Sequence, residues 1–347
     1  MIKTPSRLPV YFLATSLCLL FFIAATYHTT GSAKIPWLPS SHGPARNNGT
    51  GERLAYMTFL AGTTANQSDP DYSHDHYFEA TRMLGYQLLH DPETKTRRSI
   101  PFLILVTEDV SHEKRDRLAK DGAIVIPVPY LIADKWLMGT EPRWRDVVTK
   151  LRAWETKDYS RILFIDGDTI INRCLDGIFN DPAAQYRAVI QDRIDDALAL
   201  DTDDPFGSQY VFASLPETSP GHQYPPLETQ YKGPQYLTAG FFLFSPSPQI
   251  FDFHVALMGE EGRFDPTFPE QNLLNYAHRA EGKLPWQRLS PEWNVNFPTM
   301  NDMRAGVASM HEKWWSEGIE VELHTYTLNI RWKMESFYEG RDLGLVD

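Results

Sequence analysis

The chain has 347 residues, 42% of them hydrophobic and 22% charged, the balance of a globular protein long enough to bury a large core. A formal net charge of -12 argues against a nucleic-acid partner, which a basic surface would mark. It leaves a nucleotide ligand open, because a bound cation supplies positive charge. Of the two cysteines, Cys18 lies in an apolar amino-terminal run and Cys174 is the lone thiol of the rest. That excludes a disulfide within the folded part and a cysteine-based zinc site.

In chain order, residues 1–7 carry Lys3 and Arg7, and Leu8 to Tyr27 is a stretch of 20 residues without a charge. That length spans a bilayer core as a helix. The flanking basic residues predict a cytoplasmic tail over 1–7, a signal-anchor over 8–27 and a luminal remainder. The rival reading is a signal peptide cleaved near Ala24 and Ala25, but the apolar run is long for one. Residues 28–52, rich in Gly, Pro, Ser and Asn, read as a flexible stem. Asn48 and Asn66 head glycosylation triplets, which suit a secretory location, with the Golgi membrane as the default. The remaining 53–347 is one luminal domain.

Within that domain, "RLAYMTFLAG" (53–62) predicts a first strand and "HYFEATRMLGYQLLH" (76–90) a helix with Phe78, Met83, Leu84 and Leu88 near one face. "IPFLILV" (100–106) is a second strand, "SHEKRDRLAKDG" a polar helix closed by Gly122, and "AIVIPV" (123–128) a third strand. Residues 145–158 carry Val147, Val148, Leu151 and Trp154 at helical spacing, and "RILFI" (161–165) is a fourth strand. Strands and helices alternate, and the strands are apolar throughout. That pattern predicts an α/β domain with a parallel sheet covered on both faces. Further on, "RAVIQD" is a short strand candidate. Residues 201–235 read as a long loop, "QYLTAGFFLFSP" (235–246) as a strand, 269–282 as a helix, and the carboxyl-terminal "NIRWKMESFYEG" as helical.

The fourth strand runs into Asp166-Gly-Asp168. Ligands of open α/β sheets bind beyond the carboxyl ends of the strands. Two carboxylates this close repel, and a divalent cation between them relieves the repulsion. The other such pairs, Asp69/Asp71 and Asp201/Asp203, read as turn chemistry in polar loops; Asp75 between His74 and His76 reads as a solvated loop, with a metal site as the rival reading. The stretch "ILFIDGDT", with Thr169, also fits a haloacid-dehalogenase-type phosphatase, in which the first Asp is a nucleophile and the second a general acid. That motif ordinarily ends a domain's first strand, whereas here it ends about the fourth.

"VTKLRAWETKDYSRILFIDGDTIINRCLDGIF" (148–179) resembles the central segment of glycosyltransferase family 8, the glycogenin and galactinol-synthase group. "HDHYFEATRMLGYQL", "YLTAGFFLFSPS" and "FPEQNLLNYA" are similar to further blocks of that family, in its order. The resemblance covers about residues 53 to 335 and is nearest the fungal branch with the Golgi N-acetylglucosaminyltransferase. It implies a single GT-A-type, Rossmann-like domain with a mostly parallel sheet, a UDP-sugar donor, a glycan or glycoconjugate acceptor, Mn²⁺, and transfer with retention.

By the same resemblance, Asp166 touches ribose and metal, Asp168 ligates metal, Lys150 neutralises donor phosphate and Tyr77 stacks on uracil. The third metal ligand is a late histidine, His311 or His324. His311 is favoured because it follows a short apolar run and precedes Lys313 and Trp314. Lys313 is a second phosphate-facing candidate, although it stands only two residues past His311 and the family's intervening Gly is missing. Thr238 replaces the family's Asn, and Glu270-Gln271 replaces its Asp-Gln. Glu270 is the nucleophile candidate and Gln271 a contact to the donor sugar. The non-enzyme alternative is a glycan-binding scaffold on a transferase fold. Trp314, Trp315 and Trp332 are candidates for an acceptor groove or for core packing.

Overall fold

The computed structural model describes residues 51–62, 75–137, 146–193 and 206–346. The expected anchor, most of the stem, Asn48, Asn66, His74 and the pairs Asp69/Asp71 and Asp201/Asp203 lie outside the described residues. Among the described residues, no helix is long and apolar enough to cross a membrane.

In chain order the elements are β1 (Leu54–Leu60), α1 (His76–Leu89), β2 (Phe102–Val106), α2 (His112–Lys120) and β3 (Ile124–Pro127). A 3-10 helix, Val147–Glu155, precedes β4 (Arg161–Ile165) and β5 (Thr169–Ile171). Then come β6 (Arg187–Ala188), β7 (Gln209–Tyr210), β8 (Phe212–Pro216), β9 (Leu237–Phe244), α3 (Pro248–Met258) and α4 (Pro269–Ala277). The chain closes with β10 (Gln287–Arg288), β11 (Val295–Asn296), α5 (Met300–Arg304), β12 (Ser309–His311) and α6 (Val321–Asp342).

Local chemistry explains the helix starts. Asp75 caps α1 by accepting from Phe78 N at 3.1 Å, and Ser111 caps α2. Ser247 caps α3 ahead of Pro248, whose missing N–H costs nothing in a first turn. Gly122, at φ +110°, ends α2 in a conformation that side chains avoid.

A seven-stranded sheet in the order β10-β8-β9-β4-β1-β2-β3 forms the centre. β1 pairs in parallel with β2 and β4, β2 with β3, and β8 with β10. The sheet is mostly parallel, as expected, with β9 the exception: it runs antiparallel to both β4 and β8. Apolar runs report burial on both faces and carry no information on strand direction.

Aromatic packing holds β9 in place. Phe164 of β4 stacks on Phe242 of β9 at 4.9 Å between centroids, and Trp154 lies 4.5 Å from Phe244 and 5.4 Å from Phe242. On the opposite face Phe78, Leu84 and Leu88 of α1 pack with Tyr56, Phe102 and Leu163. A second sheet, β11-β12-β5, sits under α6, where Met310, Ile170, Ile330 and Met334 form a smaller core with Met83 of α1.

Two expectations are revised. The segment read as helical over 145–158 is a 3-10 helix in its described part. Its buried Val148, Leu151 and Trp154 recur every third residue, the period of that tighter helix, and consecutive β-branched residues disfavour the wider one. The long loop expected over 201–235 contains β7 and the fully buried strand β8. "FASLP" has low strand propensity, so pairing with β9, and not local preference, makes it a strand.

Candidate active site

The site grows from the carboxyl end of β4. That strand is buried along its length, and the ladder to β9 continues one residue further, with Asp166 N donating to Gly240 O at 2.8 Å. The chain then turns sharply, Thr169 N donating to Asp166 O at 3.1 Å, and enters β5. β5 pairs antiparallel with β12 in the register Thr169↔His311. Glu312 N donates to Asp168 O at 3.2 Å. Two short ladders thus bring a histidine from far along the chain to the carboxylate turn.

His311 Nε2 lies 3.1 Å from Asp168 Oδ1 and 4.0 Å from Asp166 Oδ2. One ligand atom from each of the three residues lies within 4.8 Å of the others. Asn296, opposite His311 in the β11–β12 pair, has its side-chain Nδ2 3.2 Å from His311 Nδ1, and turning the amide over would put its oxygen there. A metal-ligating Nε2 needs the ring proton on Nδ1, and the Asn296 amide accepts it when its oxygen faces the ring.

The approach is tight enough to require glycine. A Cβ added to Gly240 would lie 2.4 Å from His311 Cε1 and 2.9 Å from Asp166 Oδ2. One added to Gly167 would lie 2.9 Å from Thr81 Oγ1 of α1. Two carboxylates and one imidazole, converging with no backbone in between, are a donor set that fits a divalent cation.

Charge is compensated within the cluster. Burial alone would raise the Asp168 carboxyl, but the His311 imidazole beside it, with Lys313 and Lys150, holds it well below the usual carboxylate range. His311 shows the converse: burial pulls its pKa down, and the Asp168 carboxylate outweighs burial and raises it. Lys150 Nζ bridges Asp166 Oδ1 at 2.8 Å and Glu270 Oε1 at 3.3 Å. Against its burial, those two carboxylates raise its pKa and keep it charged. Lys313 Nζ stands 3.6 Å from Asp168 Oδ2.

A cavity of about 320 Å³ opens on the triad, and Tyr77, Lys150, Asp166, Asp168, Glu270, Gln271, His311 and Lys313 all line it. The eight residues singled out in the sequence therefore share one wall-to-wall site. His324 does not join them; it sits in the first turn of α6. Trp314 is buried, Trp315 stacks on His76 at 5.4 Å and meets Tyr77 edge-on at 5.1 Å, and Trp332 is exposed on α6. Asp75 is a helix cap paired with Lys114, and His76 packs on Trp315.

The geometry adds residues that the sequence did not flag. Asn296 holds the histidine ring. Phe268, 37% exposed, lines both this cavity and an adjoining one of about 210 Å³. Glu217 Oε2 accepts from Gln271 Nε2 at 2.8 Å, while Gln271 Oε1 accepts from Ala239 N at 3.0 Å. No signal in the sequence pointed to Asn296, which ends β11, and Glu217 fell in the supposed loop.

No family model matches the chain. It is 28% identical to an uncharacterised protein of Schizosaccharomyces pombe, over 79% of this chain and 76% of that one. It is 25% identical to galactinol synthase 3 of Arabidopsis thaliana, over 76% of this chain and 80% of that one. Among solved structures, the glycosyltransferase GlyE of Streptococcus pneumoniae matches with a TM-score of 0.50 and 12% identity. That match covers 84% of this chain, which spans only 64% of the GlyE chain. The chain thus has a glycosyltransferase-type α/β fold and a sequence similar to galactinol synthases.

Proposed function

We propose that this chain transfers a hexose or N-acetylhexosamine, with retention, from a UDP-sugar to a glycan or glycoconjugate acceptor. The observation that carries the reading is the convergence of Asp166, Asp168 and His311 at the end of β4, on the wall of a cavity shared with Tyr77, Lys150 and Glu270. The similarity to galactinol synthases supports the same class of reaction. The anchor expected over residues 8–27 fits a single-pass Golgi membrane protein with this domain in the lumen.

Asp166, Asp168 and His311 would hold a divalent cation, Mn²⁺ by the family resemblance. A cation bound there supplies charge neutralisation for the departing diphosphate. The chain's own groups do the rest. Lys150, kept charged by Asp166 and Glu270, adds positive potential at the cavity floor. Tyr77, from the first turn of α1, gives an aromatic wall against which a base can pack. Glu270, whose Oε1 is held by Lys150, keeps its other oxygen for the sugar; Gln271 is oriented by Ala239 N and Glu217. A leaving group neutralised in this way needs no strong general acid.

The test is UDP release by the purified full chain from UDP-glucose, UDP-galactose and UDP-N-acetylglucosamine, with and without Mn²⁺. Metal-dependent release from one donor, absent in Asp168→Asn, is expected. Release without metal, or none from any donor with no thermal shift on adding UDP and Mn²⁺, would sink the reading.

A further inference from the structure

Phe297 has a backbone that a phenylalanine avoids. Its φ is +51°, in the left-handed region where a bulky side chain is an outlier. It also precedes Pro298, which narrows its choices further. Packing does not repay this strain, because the side chain is 42% exposed. Strain held without burial marks a position kept for contact with something else. The residue is rigidly placed: its neighbour Asn296 is in register with His311 and touches that ring, and Asn296 N donates to Thr218 Oγ1 at 2.9 Å.

The cavity that Phe297 lines is the second one, of about 210 Å³, which shares Asp166, His311 and Phe268 with the first. With a water occupying roughly 30 Å³ of liquid, it takes one sugar-sized ring. Asp166 and Glu270 in its wall are engaged by Lys150; the carboxylates that it adds on the side away from Lys150 are Glu217 and Glu312, against Lys232 and Lys313. Lys232 is already engaged by Glu217 at 3.6 Å and lies over the rings of Phe268 and Tyr236. Carboxylates accept from hydroxyls and repel anions, while an exposed aromatic face packs on the C–H face of a pyranose.

We propose that Phe297 is the platform for the acceptor, and that with the surrounding carboxylates it selects a neutral sugar ring and rejects an acidic one. This rests on the transferase reading above. Phe297 is a specificity residue of the acceptor side, separate from the residues that face the donor diphosphate.

The probes are methyl α-glucoside, methyl α-galactoside and methyl α-mannoside, with glucuronic acid as the charged comparison, each given to the full chain with Mn²⁺ and the donor it hydrolyses. Transfer to at least one neutral glycoside and none to glucuronic acid is expected. Phe297→Asn, which suits the left-handed backbone, should raise the acceptor KM at least tenfold with kcat moving less than threefold, and with no fall in Tm. Phe297→Trp should keep the acceptor KM within threefold of the parent. If the Asn variant does not fold, Phe297→Tyr (retained) against Phe297→Leu (lost) makes the same comparison. An unchanged acceptor KM in Phe297→Asn or Phe297→Leu overturns the proposal. So does equal use of glucuronic acid, or donor hydrolysis without transfer to any neutral probe. Failure to hydrolyse any donor instead removes the transferase reading beneath it.

Discussion

Histidines in two regions of this molecule behave in opposite ways. His311 stands at the sheet's end between two carboxylates, and its pKa is raised although burial opposes it. His254 and His278 lie in the core beside Trp154 and Phe212, with no carboxylate among the described residues acting on them, and burial lowers both, His278 to about 4. His278 Nδ1 is 2.8 Å from Leu284 O, which only accepts, so that nitrogen carries the proton. His278 Nε2 then accepts from His254 Nε2 across 3.0 Å. Two neutral imidazoles pair there, and among the described residues His254 Nδ1 is left without a hydrogen-bond partner. His311 keeps 17% of its side chain exposed and the core pair is fully buried, yet burial disfavours the charged ring in both places; the neighbouring carboxylates decide whether the ring is a charge or a packing unit.

The largest expected effect breaks the charged region. Asp168→Asn removes one ligand atom and the partner of His311 and Lys313, and should lower metal-dependent UDP release by about 10³-fold or more. Circular dichroism and Tm should stay near the parent. A variant with a tenth of parental activity would show that the carboxylate is not central.

A steric change should come next. Gly240→Ala drives a methyl group into His311 and Asp166, which shifts the triad by a fraction of an ångström to an ångström. Such a displacement costs on the order of 10²-fold in rate. Weaker stabilisation by Mn²⁺ in a thermal-shift titration should accompany it, and unchanged metal response would contradict the geometry.

The neutral pair is tested by acid. Because the folded pKa values of His254 and His278 are depressed, their stability contribution is complete above the unfolded value of about 6.5. It is lost as pH falls from there toward the folded values, about 4 for His278. Each ring contributes a slope of at most about 1.4 kcal/mol per pH unit in that window. Urea unfolding at pH 7, 6 and 5 should show the decline, and His254→Leu should roughly halve its slope. A slope that is the same in the variant would mean that other groups carry the acid sensitivity.

The smallest expected effect concerns a buried ion pair away from the cavity. His222 Nε2 lies 3.3 Å from Asp302 Oδ1, and burial opposes both shifts: His222 is raised by Asp302, and Asp302 is lowered by His222 and Thr299. The raised histidine stabilises below its unfolded pKa and loses this as pH rises through its folded value. The lowered aspartate stabilises above its unfolded pKa and loses this as pH falls through its folded value. The pair is therefore at full strength between about pH 4 and 6.5. His222→Phe should cost a few kcal/mol near pH 5.5 and clearly less at pH 8, with little change in UDP release.

Much of this protein was legible in the chain itself. An apolar run marks a strand, so β1, β2, β3, β4 and β9 could be read from residue type alone, as could the carboxylates at the end of β4; that β3 is only part-buried follows from its place at the sheet edge. Candidate residues matched block by block to a family also converged on one cavity. What residue type does not encode is pairing. The antiparallel setting of β9, the strand character of "FASLP" and the placement of His311, and not His324, beside the two carboxylates follow from ladders between segments far apart in sequence. The same holds for Asn296 behind the histidine and Phe297 beside the second cavity. Their roles depend on a register and a backbone angle that only the assembled sheets impose.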